Sequence, residues 1–253
     1  FARSAAMAFN RYLDRHFDAA NPRTSLREIP AGILRAERVL AFTIGNSLLF
    51  MLSAYFINPL CFYLSPVALL LILGYSYTKR FTALCHLVLG LGLSLAPLGA
   101  YLAVTGSFSL LPILFSIVVM TWVSGFDVIY ALQDEDFDRS QGLHSLPARL
   151  GKAKALSISW TLHVASMSGV AFIGYAGSFG GLYWSGAVFF ALMMIYQHSL
   201  VSPQDLSKVN VAFMTTNGLA SIVYASLVII AGPVKPLLDS EVQIIASYLD
   251  KGG

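Results

Sequence analysis

Long apolar runs alternate along the chain with short polar interruptions. The apolar segments cover about 1–18, 36–57, 65–77, 82–103, 110–133, 153–174, 181–199 and 209–231. Several reach or approach the roughly 20 residues an α-helix needs to cross a bilayer. The pattern predicts an all-α, polytopic membrane helix bundle of about eight helices, with residues 1–253 forming a single transmembrane domain. A transmembrane barrel would need alternating polarity in segments of about ten residues, and the chain has no such alternation. From Gly232 onward, Leu238, Val242, Ile245 and Leu249 recur at helical spacing, which predicts a short interfacial helix.

The interruptions differ in character. The first, third, fifth and seventh loops (19–35, 78–81, 134–152, 200–208) carry charge, whereas 58–64, 104–109 and 175–180 carry none. Loops alternate sides when every helix spans, so nearly all the charge falls on one face. Basic loops prefer the cytoplasm, and that face is expected inside. Composition agrees with the pattern: 57% of the 253 residues are hydrophobic and 11% charged, against about 25% charged in a soluble domain. Cys61 and Cys85 have no ligand or redox spacing and read as buried thiols.

Two acidic ladders break the apolar character at the charged face. Asn10, Asp14 and Asp18 are spaced by four, so each step drifts only about 40° around a helix. Asp127, Tyr130, Asp134 and Asp138 are spaced three, four and four and share roughly 80° of arc. Glu135 and Asp136 point elsewhere, toward solvent or Arg139. Ionisable groups near a membrane interior cost several kcal/mol unless paired or wet. Two ladders on one face therefore suggest one shared site. Their counter-charge is supplied either by nearby Arg and Lys or by Mg²⁺, which takes oxygen ligands and bridges to phosphates. Arg23, Arg27, Lys79, Arg80, Arg139, Arg149 and Lys152 are all expected on this face, an electropositive rim suited to a metal-bound anion. The ladders also form a faint internal echo between the two halves of the chain.

At these residues the chain resembles the UbiA superfamily of intramembrane prenyltransferases. NxxxDxxxD stands as Asn10, Asp14 and Asp18, and DxxYxxxDxxxD as Asp127, Tyr130, Asp134 and Asp138. NPRTSLREIPAG and YSYTKRFT are similar to the family's polar loops, and the resemblance covers essentially the whole chain. Arg11 stands where many members have Asp. The family usually has nine helices with the first signature on the second, which implies that the natural first helix is absent from these 253 residues. AYLAVTGSF, GFDVIYALQDEDFDRSQGLHSLPARLG and HSLVSPQDLSKVNVAFMTTNG look most like bacterial quinone-pathway members of the 4-hydroxybenzoate or dihydroxynaphthoate type. Members that make haem O, chlorophyll or tocopherol precursors share both ladders. Outside enzymes, a membrane transporter is the rival reading, although acids gathered at one face rather than at the midplane speak against it.

The resemblance implies transfer of a polyprenyl group from its diphosphate to an aromatic carbon of a ubiquinone or menaquinone precursor. Asp14, Asp18, Asp134 and Asp138 are then the expected Mg²⁺ ligands, with Asn10 as ligand or orienter. Arg23, Lys79 and Arg80, and more weakly Arg27 and Lys152, are expected at the diphosphate. Tyr75, Tyr130 and Trp122 are candidates to face the allylic cation, with plain packing the blander reading of Trp122. Asp127, about 10 Å deeper than Asp134, is a candidate to orient Tyr130 or to accept a ring proton. His86 and His163 read as helix-packing residues, while His144 and His198 are candidates for an acceptor carboxylate. The expected partners are a polyprenyl diphosphate, a small aromatic acceptor and membrane lipid, with no nucleic acid. The expected location is the cell's inner membrane, multi-pass, with the active site on the cytoplasmic side.

Overall fold

The computed structural model describes residues 1–231, so the interfacial helix expected beyond Gly232 lies outside the described residues. Among those residues there are helices and no strands. The chain runs through α1 (Ala2–Leu13), α2 (Arg15–Ala20), α3 (Ala36–Ile57), α4 (Pro59–Thr78), α5 (Cys85–Thr105) and α6 (Leu110–Ala131). It continues through α7 (Glu135–Ser140), α8 (Leu146–Leu150), α9 (Lys152–Ala176), α10 (Gly181–Ser199) and α11 (Asn217–Ile230). Six helical runs are long and apolar enough to cross a membrane: α3, α4, α5, Leu110–Ser140, α9 and Val211–Ile230. The protein is a multi-pass membrane helix bundle. α1, at 12 residues, spans only about 18 Å, short of a hydrocarbon core of about 30 Å.

Two boundaries and one helix interior differ from the periodicity. The expected loop 58–64 shrinks to Asn58. The Asn58 side chain accepts the Cys61 N–H at 2.8 Å and Pro59 begins the helix, a strong start signal inside an apolar run. Pro66 interrupts α4, and the Ser65 hydroxyl donates to the Phe62 carbonyl that the proline leaves unpaired, at 2.8 Å. The expected helix 209–231 opens with a π-helical turn, Val211–Thr216, before α11.

Both ladders also break at their middle aspartate. Asp14 separates α1 from α2 with φ −90° and ψ 7°. Asp134 closes a 3₁₀ turn, Leu132–Asp134, ahead of α7, with φ −101° and ψ 7°. These angles lie in the sparsely populated bridge region, where active-site residues are often found.

α6, which leads into the second ladder, is the most enclosed helix. α5 crosses it so closely at Gly90 that an added Cβ would sit 2.2 Å from Ser124 Oγ. α9 approaches on the other side, where a Cβ on Gly125 would lie 2.4 Å from the His163 ring. Small residues permit such crossings between membrane helices. The result is a rigid wall on which the second ladder is mounted.

Candidate active site

The charged face of the bundle holds a polar cavity of about 300 Å³. Its wall includes Asn10, Asp14 and Asp18 from the first ladder and Asp127, Tyr130 and Asp134 from the second. Arg23, Arg27, Lys79 and Arg80 line it as well. Residues of both ladders and four basic side chains therefore line one cavity. A second, apolar cavity of about 1090 Å³ lies between α1, α3, α4 and α5, and Tyr75 and Leu89 line both. Along α4 the apolar cavity extends from Tyr75 to Cys61, about 21 Å at the helical rise.

Each ladder aspartate except Asp127 has one Arg or Lys partner. Arg23 grips Asp134 with two bonds, Nε to Oδ1 at 3.0 Å and Nη2 to Oδ2 at 2.5 Å. It also donates to the Tyr130 hydroxyl at 2.9 Å. Arg27 donates to Asp18 at 2.6 Å, and Arg80 donates to Asp14 at 3.2 Å and to the Leu13 carbonyl at 2.9 Å. Lys79 Nζ lies 2.7 Å from Asp138 Oδ1, a close ion pair outside hydrogen-bond alignment. For Lys79, burial opposes the charged form, but Asp138 outweighs it and raises the ammonium's pKa. For Arg23, burial again opposes, and Asp134 again prevails. Arginine and lysine thus supply counter-charge to these four acids.

Two expected site residues stand elsewhere. Asp138 is fully buried behind Lys79 and is not part of the cavity wall. The turn at Asp134 breaks the helix that the ladder periodicity assumed, so Asp138 no longer continues the line of Asp127 and Asp134. Lys152 lies 3.9 Å from Glu135, which also takes a 2.7 Å bond from Arg139. It therefore serves the fifth loop, away from the cavity. Trp122 donates to Asn217 at 3.0 Å and packs on Phe126 and Phe190, as a packing residue would. His198 contacts His163 at 2.9 Å, and neither lines the cavity, nor does His144.

Other cavity residues escaped sequence reasoning. Asn21 donates to Asp134 at 3.2 Å and accepts the Arg23 N–H at 2.9 Å. Phe213, carried by the π-helical turn, stacks on Tyr130 with ring centroids 4.2 Å apart. His86 was expected merely to pack, yet its Nδ1 lies 2.7 Å from Asp127 Oδ2. No periodic signal links these positions, which come from different elements. For Phe213 the signal needed was the extra residue of a π turn, a feature common at functional sites.

The profile of the UbiA prenyltransferase family matches residues 1–219. The 4-hydroxybenzoate octaprenyltransferase of Tolumonas auensis is 31% identical over 227 residues, 90% of this chain and 79% of that protein. The enzyme of the same name from Nitrosospira multiformis is 29% identical over 90% of this chain and 78% of its own length. A solved UbiA homologue from Aeropyrum pernix K1 superimposes with a TM-score of 0.83, at 32% identity, over 90% of this chain and 85% of its own. A homologue from Archaeoglobus fulgidus, solved with DMAPP and Mg²⁺ bound, shares the fold with a TM-score of 0.62 at 16% identity, over 87% of this chain and 83% of its own. From the match over residues 1–219 and the full-bundle likeness to its relatives, the chain belongs to the UbiA prenyltransferase family.

Proposed function

We propose that this prenyltransferase moves a polyprenyl group from its diphosphate to an aromatic ring carbon of a quinone precursor, of 4-hydroxybenzoate or dihydroxynaphthoate type. One observation carries the reading: a small cavity rich in acids and bases meets a large apolar cavity at Tyr75 and Leu89. A prenyl diphosphate has those two parts in that order. Its head suits the polar cavity, its tail suits the apolar one, and its reacting carbon falls at the neck.

At the head, Arg23, Arg27, Lys79 and Arg80 bind the diphosphate by leaving their carboxylates for phosphate oxygens. The carboxylates released by that exchange suit Mg²⁺. Among the described residues no three acidic, His or Cys side chains converge into a cage. That fits Mg²⁺, which binds through one or two carboxylates plus substrate phosphates rather than an all-protein cage. Asp18 Oδ2 is buried without a hydrogen-bond partner and is available to such an ion. Asp14 and Asp18, with Asn10 beside them, and Asp134 across the cavity would offer one or two carboxylates per ladder to such ions, and Asp138 would join only when Lys79 leaves it. When bound, the metal neutralises charge growing on the leaving diphosphate.

At the neck the allylic C–O bond breaks and its electron pair leaves with the diphosphate. Tyr75 and Tyr130 face the cation, and the apolar wall keeps water from capturing it. The acceptor's ring carbon then forms the new C–C bond and the ring loses a proton. We place the charged face on the cytoplasmic side of the cell's inner membrane, because Lys and Arg concentrate there.

The test is incubation of the protein in liposomes with a polyprenyl diphosphate, each candidate acceptor and Mg²⁺, followed by mass spectrometry. Prenylated acceptor is expected, lost on chelation and restored by Mg²⁺. Failure to prenylate any aromatic acceptor would overturn the reading, and full activity in excess chelator would remove the metal.

A further inference from the structure

Asp127 differs from every other carboxylate of the cavity in its partner. Asp14, Asp18 and Asp134 face Arg, while Asp127 faces an imidazole, with His86 Nδ1 at 2.7 Å from Oδ2. The other ring nitrogen settles the tautomer. His86 Nε2 accepts the Leu146 backbone N–H at 3.3 Å, and a nitrogen that accepts carries no proton in a neutral ring. The proton is therefore on Nδ1, donated to Asp127. That leaves one aspartate oxygen, Oδ1, outside the pair.

The Asp127 side chain reaches the polar cavity. His86 is 3% exposed and held from two sides, whereas the Asp127 side chain is 22% exposed and lines the polar cavity with Tyr75 and Leu89. Leu146 is the first residue of α8, so the imidazole also takes up one of the backbone N–H groups that a helix start leaves unpaired. The loop ahead of α8 is tied to the same region, with His144 N–H donating to the Lys79 carbonyl at 2.7 Å.

Resting on the prenyl-transfer reading, we propose that His86 is a positioning residue that fixes Asp127 Oδ1 to take the proton lost by the acceptor ring. The step balances. The ring's π pair forms the C–C bond to the allylic carbon, diphosphate leaves with the C–O pair, the C–H pair restores aromaticity, and the proton moves to Asp127 Oδ1.

The test compares the unsubstituted protein with His86→Leu, His86→Asn and Asp127→Asn. It measures transfer kinetics, diphosphate release without transfer, and the rate ratio between acceptors carrying hydrogen or deuterium at the reacting carbon. His86→Leu should lower kcat about tenfold to a hundredfold and leave KM for the prenyl diphosphate within about twofold. It should also raise the isotope ratio from near one to a primary effect, because deprotonation becomes slow. Asn places an amide nitrogen where Nδ1 stands, so His86→Asn should recover most of the rate. Asp127→Asn should still release diphosphate while transfer falls further. An unchanged kcat in His86→Leu, or a loss without an isotope effect, would overturn the proposal. If His86→Leu does not fold, wild-type transfer by Asp127→Asn, or a His86→Asn rate reduced a hundredfold, overturns it equally. Absence of transfer by the unsubstituted protein would instead overturn the functional reading.

Discussion

The two acidic ladders share a backbone plan and differ in their company. In each, the middle aspartate sits at a helix break with nearly the same dihedral angles, −90° and 7° at Asp14, −101° and 7° at Asp134. The loop after the first ladder reaches across the cavity, where Asn21 and Arg23 hold Asp134 of the second. The loop after the second turns inward, with Arg139 and Lys152 both on Glu135. The second ladder rides on the enclosed α6, and the first on the short α1 near the edge. Matching motifs have thus become unequal: one is the fixed wall of the site and the other, with its loop, is the cover. Lys79 and Arg80, adjacent in sequence, bind one ladder each, Asp138 and Asp14.

That inequality is open to test, and the largest effect is expected on stability. Lys79→Met strands the fully buried Asp138, and breaking a buried pair costs about 3–5 kcal/mol. Arg80→Met leaves the more exposed Asp14 and should cost less than half as much by unfolding in detergent. Equal losses would erase the distinction between wall and cover.

A smaller effect separates the two arginines of the covering loop. Arg23→Lys loses the fork on Asp134 and the contact with Tyr130, so kcat/KM for the prenyl diphosphate should fall about tenfold to a hundredfold. Arg27 makes a single contact, to Asp18, and Arg27→Lys should lose less than about fivefold. The reverse order in steady-state kinetics would move the centre of diphosphate binding to the first ladder.

The smallest effect belongs to the loop after the second ladder. Lys152→Ala should change stability by no more than about 0.5 kcal/mol and leave kcat/KM within about twofold. A tenfold loss would return Lys152 to the site and make the two loops alike.

Helix existence, the charged face and both ladders were legible in the sequence, because each is a local repeat. An apolar run must cover its backbone with its own hydrogen bonds in lipid, and residues four apart must share a helix face. Other features were out of reach of any repeat. Pro59 and Asn58 carry a start signal, but the apolar run around them hid it. Phe213 reaches Tyr130 through a π turn that shifts the register by one residue. The breaks at Asp14 and Asp134 fall inside runs whose periodicity reads as continuous.

What the sequence by itself determined is therefore the set of charges and their grouping into the loops between apolar helices. Helical spacing and the cost of charge in lipid leave few other arrangements. Which basic side chain meets which carboxylate was decided only by the tertiary structure. Arg23 with Asp134, Lys79 with Asp138 and His86 with Asp127 are 111, 59 and 41 residues apart in the chain. Pairing depends on separation in space and on burial, and only the packing of α4, α5 and α6 and the path of the loop after α2 set those distances.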